Sequence, residues 1–143
     1  MPRALVDTSV LFAALYRRDT DHGRGLEILK AADDGSIPEL VLLDYVLAET
    51  INGLTTHTSH EAAVDFLARV EENSRFHVDR PTNSGLATAK ARFRQHAPFS
   101  FVDAAIVGYM ETAGLEYLYA FDDDFDAAEP VTRLDMPTNP YSP

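Results

Sequence analysis

Four acidic side chains, Asp7, Glu49, Asp103 and Asp122, are spread over the whole chain and stand where apolar segments begin, end or turn. Carboxylates suit hard divalent cations such as Mg2+ and Mn2+, which complete their coordination with water and substrate phosphate. Acids gathered from several segments can hold one or two such ions, polarise a phosphodiester and activate water for in-line attack. Each acid also has a plain structural explanation. Asp7 follows Ala4-Leu5-Val6 and can cap the helix after it. Glu49 lies among Val46, Ala48 and Ile51, which suggests a helix largely covered by protein, or else a solvated stripe shared with Asp44 or Asn52. Ser100-Phe101-Val102-Asp103 has capping-box spacing. Asp122, Asp123, Asp124 and Asp126 repel one another unless solvated or holding a cation. A solvated turn accounts for Asp123 and Asp126, with Phe125 as its anchor in the core.

Other chemistries find little support. The chain has no Cys, which excludes disulfides and thiolate metal sites. It has no His-Glu-x-x-His pair and no Gly-rich phosphate loop. The five His are scattered, and His57 and His60 read as exposed loop residues. Thr8 and Ser9 have no His–acid pair near them in sequence from which to build a triad.

The elements that must position the acids follow from apolar periodicity. Strands are expected at Ala4–Val6, Leu40–Leu43, Phe76–Val78 and Tyr117–Phe121, with an edge strand at Val131–Leu134. Helices are expected at Ser9–Tyr16, Gly23–Ala32, from an Asp44 cap through Leu54, Ser59–Glu72, Asn83–Arg94 and Ser100–Thr112, the last closed by Gly114. Such alternation implies an α/β fold with a mainly parallel central sheet covered by helices on both faces. Ligands in such sheets bind at the carboxyl ends of the strands, where Asp7 and Asp122 fall. The 143 residues suit a single domain over 1–135, followed by an extended tail over 136–143 that holds three prolines. No apolar run is long enough to span a bilayer, so a cytoplasmic protein is expected.

Charge argues in the other direction. Twelve Lys and Arg against 23 Asp and Glu give a net charge of −11, whereas nucleic-acid binders usually carry a basic face. Cations bound by the carboxylates can act as the phosphate receptor, and a salt-rich cytoplasm would shorten the reach of the surface charge. Arg17, Arg18, Lys90, Arg92 and Arg94 are the candidates for phosphate contact, against the simpler reading of solvated helix faces.

Four segments together resemble the PIN-domain ribonucleases, and in particular the VapC toxins of toxin–antitoxin pairs. They are Leu5-Val6-Asp7-Thr8-Ser9-Val10-Leu11, Val46-Leu47-Ala48-Glu49, Ser100-Phe101-Val102-Asp103-Ala104-Ala105-Ile106-Val107 and Ala120-Phe121-Asp122-Asp123-Asp124-Phe125. The resemblance implies that Asp7, Glu49, Asp103 and Asp122 are the catalytic, metal-binding acids, with Asp122 chosen from its run by the spacing to Phe125. It implies that Ser9 supports the site. Where many relatives carry Ser or Thr two residues before the last acid, this chain has Ala120, and Asp124 is the candidate to compensate. It further implies Mg2+- or Mn2+-dependent cleavage of RNA, a homodimer and a small antitoxin partner. The alternatives are a PIN-like binding or regulatory module with little or no catalysis, an RNA-processing nuclease, and a structural protein whose acids only cap helices and solvate turns.

Overall fold

The computed structural model describes residues 2–142. Strand β1 (Arg3–Val6) forms where Ala4, Leu5 and Val6 can be buried completely. Helices α1 (Thr8–Leu15) and α2 (His22–Asp34) lead to β2 (Glu39–Leu43), then α3 (Asp44–His57) and α4 (His60–Glu72) to β3 (Phe76–Asp79). Next come α5 (Asn83–Gln95), α6 (Phe101–Ala113) and β4 (Tyr117–Tyr119), and the chain passes a 3-10 turn (Asp123–Ala127) before β5 (Thr132–Leu134). The strands pair in the order β3-β2-β1-β4-β5, and every pairing is parallel. The expected α/β architecture is therefore present, with its sheet wholly parallel.

Strand order locates the site. From β1 the chain crosses to β2 and on to β3, then returns to β4 on the far side of β1. The direction of winding thus reverses between β1 and β4, the kind of switch point where ligands bind beyond the strands' carboxyl ends. Right-handed crossovers place α1–α4 on one face of the sheet and α5–α6 on the other. Packing agrees: α1 lies on α2 and α3, α3 on α4, and α5 on α6. Between the layers sits one continuous core that includes Leu40, Leu42, Ile106, Met110, Tyr119 and Phe125.

Several boundaries shift for physical reasons. Strand β4 ends at Tyr119, two residues before the expected Phe121, although the Ala120 N–H still reaches the Leu134 carbonyl at 3.1 Å. Asp44 is the first residue of α3 and not its cap; Leu43 takes that place with no side-chain cap bond. His57 and His60 close α3 and open α4, so neither is a loop residue. Asp126 is exposed, as expected of a solvated turn, and also pairs with Arg133 at 2.8 Å. The tail folds back: the Tyr141 hydroxyl donates to the Arg3 carbonyl at 3.1 Å, and the Tyr119 hydroxyl donates to that of Thr138 at 2.6 Å. No helix is long and apolar enough to cross a membrane among the described residues.

Helix α6 crosses α5 backbone to backbone. A Cβ on Gly108 would lie 2.6 Å from the Gly85 carbonyl oxygen and 2.9 Å from the Ala89 nitrogen, both main-chain atoms that cannot swing away. Gly108→Ala is therefore expected to destabilise the protein by about 1–3 kcal/mol. Urea unfolding measures this, and an unchanged midpoint would rule out the close crossing.

Candidate active site

Asp7 is the last residue before α1 and acts as its N-cap. One of its carboxylate oxygens accepts from the Ser9 N–H at 3.3 Å and the Ser9 hydroxyl at 2.7 Å. The Ser9 hydroxyl also accepts the Phe121 N–H at 3.1 Å, across 112 residues of sequence. One hydroxyl thus ties the end of β1 to the segment entering Asp122. Asp7 is only 5% exposed, and this burial pushes its carboxyl up to about 6, with the negative charge of Asp103 adding to the rise and the Ser9 bonds opposing it.

Asp103 is held by a reciprocal cap. The Ser100 hydroxyl accepts the Asp103 N–H at 3.1 Å, and the Asp103 carboxylate accepts the Ser100 N–H at 3.0 Å. The capping reading of the sequence is right, and the carboxylate still faces the other acids. Its carboxyl is raised first by partial burial, against the lowering effect of the Ser100 bonds, and then by the charges of Asp122 and Glu49. Asp122 caps the 3-10 turn by accepting the Asp124 N–H at 2.9 Å. Phe125 is fully buried and pins that turn to the core.

Of the two settings expected for Glu49, the solvated one is found. Helix α3 turns Val46, Thr50 and Leu54 inward, which leaves Glu49 exposed and not covered by protein. Its partner is Thr8, whose hydroxyl donates to the Glu49 carboxylate at 2.7 Å. Nothing in the sequence points to Thr8, because the pair is 41 residues apart. The structure therefore brings Asp7, Glu49, Asp103 and Asp122 to the carboxyl end of the sheet from four different segments, with Asp103 feeling the charge of both Asp122 and Glu49 and imposing its own on Asp7.

The tightest carboxylate trio is a different one. Asp122, Asp123 and Asp124 each offer an oxygen within 4.8 Å of the others, and among the described residues no other trio is as close. The Asp124 carboxyl is raised chiefly by the charge of Asp122. Ala120 is fully buried. At the rim, the Arg24 guanidinium stacks over the Phe121 ring at 4.6 Å and pairs with Asp21 at 2.6 Å. Arg92, a candidate for phosphate contact, is instead engaged by the Glu111 carboxylate and the Glu129 carbonyl.

The donor set fits a hard divalent cation. Every ligand offered is a carboxylate oxygen, and the mutual repulsion is of a kind that a cation relieves.

Comparison with known proteins agrees with this fold. The crystal structure of Mycobacterium tuberculosis VapC20, described as a Sarcin-Ricin loop cleaving toxin, superposes with a TM-score of 0.76 at 29% identity, over 88% of this chain and 95% of that one. VapBC2 from Rickettsia felis, solved bound to a DNA fragment from its promoter, gives 0.66 at 14% identity, over 93% and 98% of the two chains. A toxin–antitoxin complex from Klebsiella pneumoniae gives 0.62 at 18%, over 95% and 98%. The last two likenesses concern the fold alone. No curated protein sequence matches the chain. The PIN-domain family model matches residues 4–129, and with nearly the whole fold inside that match the chain belongs to the PIN-domain family.

Proposed function

We propose that the protein is a metal-dependent endoribonuclease that hydrolyses RNA phosphodiesters and serves as the toxin of a VapBC-type pair. The observation that carries this reading is the convergence of four acids at the β1/β4 switch point, one of them buried and raised to about 6. Its likeness to a toxin described as cleaving the Sarcin-Ricin loop favours structured RNA as substrate. The antitoxins in the Rickettsia and Klebsiella complexes favour a small protein partner. A homodimer, a cytoplasmic location and a nuclease domain over 1–135 complete the proposal.

Asp7, Glu49, Asp103 and Asp122 would hold Mg2+ or Mn2+, with Asp124 beside them. Such a cation, when bound, polarises the phosphodiester and lowers the pKa of attacking water. The chain's own contribution is to hold its acids in place before substrate arrives. Ser9 fixes the Asp7 carboxylate and the approach to Asp122, Ser100 fixes Asp103, and Thr8 orients Glu49. Because each acid is tethered by a neighbouring donor, little reorganisation is needed on binding.

Incubation of purified protein with structured ribosomal RNA is expected to give discrete cleavage with added Mn2+ or Mg2+ and none in EDTA. Cleavage that persists in EDTA would overturn the metal requirement. A second reading is a PIN module that binds RNA or a partner with weak catalysis, favoured by buried Ala120 in place of a hydroxyl and by the charge of −11. Installing the hydroxyl separates the two, since Ala120→Ser is expected to raise turnover only if the site already cleaves.

A further inference from the structure

Beside Glu49 lies an open groove of about 410 Å³ lined by Thr8, Phe12, Glu49, Asn52, Gly53 and His57. Its size falls within the range of small-ligand clefts, which begins near 300 Å³. Three flat rings meet there. Phe12 on α1 and Tyr16, the residue that ends that helix, have centroids 5.1 Å apart, and His57 at the end of α3 stands 5.7 Å from Phe12 and 6.0 Å from Tyr16. Phe12 and Tyr16 are half-buried and His57 is exposed, so these rings present faces and edges to solvent.

The groove is kept open by what is absent from α3. A Cβ on Gly53 would meet the Phe12 ring at 3.2 Å, so a larger side chain there would occupy the space above it. Asn52 adds an exposed amide with both donor and acceptor atoms at the same wall. Arg17 and Arg18 follow Tyr16 directly, are exposed, and form no ion pair among the described residues. In a chain of charge −11, exposed cations that directly follow the aromatic cluster in sequence match a ligand that is flat, aromatic and joined to phosphate.

We propose that this groove is a nucleobase subsite: it takes one unstacked base of the RNA substrate, with the His57 ring as the stacking surface, the Phe12 ring set nearly perpendicular against it, and Asn52 as the amide that meets the base edge. The subsite rests on the ribonuclease reading, because Glu49 is shared between the groove and the acidic site and so places the bound base next to the phosphate to be cut. Stacking tolerates any base, whereas the amide supplies a preference among them. Tyr16 packs against both the Phe12 and the His57 ring, and the arginines that follow it hold the neighbouring phosphates.

The test uses the full chain carrying Asp103→Asn, which keeps the cap and prevents cleavage during binding. Fluorescence anisotropy is measured with a labelled single-stranded oligoribonucleotide and with versions carrying one abasic site at each position in turn. One abasic position is expected to weaken binding about tenfold. That penalty is expected to disappear when His57→Ala or Phe12→Leu is added, and to persist with His57→Phe. His57 is exposed, so its replacement tests the idea even if Phe12→Leu disturbs folding. Equal binding of every abasic RNA, while the unaltered protein cleaves RNA, overturns the subsite and leaves the nuclease reading standing. No RNA binding together with no cleavage overturns both. Loss of self-association in His57→Ala, with RNA binding unchanged, gives the groove to a second copy of the chain and also overturns the subsite.

Discussion

Asp103→Asn is expected to reduce RNA cleavage more than about 100-fold while leaving the fold intact. A residue that only orients a ligand is worth up to about 100-fold, and Asp103 is proposed as a ligand itself. The substitution is informative because Asp103 has two roles that Asn separates. An amide oxygen still accepts the Ser100 N–H, so the capping box survives, but the negative charge facing Asp7, Asp122 and Glu49 is gone. Asp103→Ala loses both roles and is expected to cost a further ~1 kcal/mol of stability through the lost cap. Single-turnover cleavage and thermal melting, measured on the same preparations, separate the effects. Cleavage by Asp103→Asn within tenfold of the unaltered protein would leave Asp103 as a cap and nothing more.

Asp7→Asn is expected to stabilise the metal-free protein at neutral pH. Folding moves the Asp7 carboxyl from an ordinary 3.8 up to about 6, because burial opposes the charge more than the Ser9 bonds favour it. A raised carboxyl means that the native state binds the proton more tightly than the unfolded chain does. The native state is therefore unpenalised below about pH 4, loses stability as pH rises through 6, and carries the full cost above that, about 3 kcal/mol. Asn removes the charge and can still accept from Ser9. In EDTA, its melting temperature should exceed that of the unaltered protein by several degrees at pH 7.5 and match it near pH 4. Added Mn2+ should then raise the melting temperature of the unaltered protein more than that of the variant. Equal melting of the two proteins across this pH range would show that Asp7 carries no such burden.

Much of this arrangement is legible in the residues. The alternation of apolar runs predicts the parallel sheet, and the placement of Asp7 and Asp122 after β1 and β4 brings them together at its carboxyl end once the strand order is known. Asp103 is readable as a cap because Ser100 lies three residues away. What escapes is whatever depends on contacts between distant segments. Neighbouring apolar residues leave Glu49 either covered or on a solvated stripe, and helical geometry decides for the second, turning Val46 and Thr50 inward and Glu49 outward, where Thr8 reaches it. Ser9 is foreseen as a support, yet its second bond, to the Phe121 N–H, depends on β1 and β4 being neighbours. His57 reads as an isolated loop residue in the sequence, but α3 extends past Leu54 and sets its ring against Phe12.

The bare crossing of α5 and α6 has a reach beyond the stability of that contact. Gly108 lies five positions after Asp103 on α6, about 7.5 Å farther along the helix axis. Main chain pressed against main chain leaves no side chain to flex, so the helix has little freedom to slide or roll at that point. Asp103 therefore inherits its aim from a fulcrum one and a half turns away that touches no substrate. Misplacing a reacting group by about 1 Å can cost a hundredfold in rate. A methyl group wedged into this fulcrum would detune the cutting edge even in molecules that remain folded.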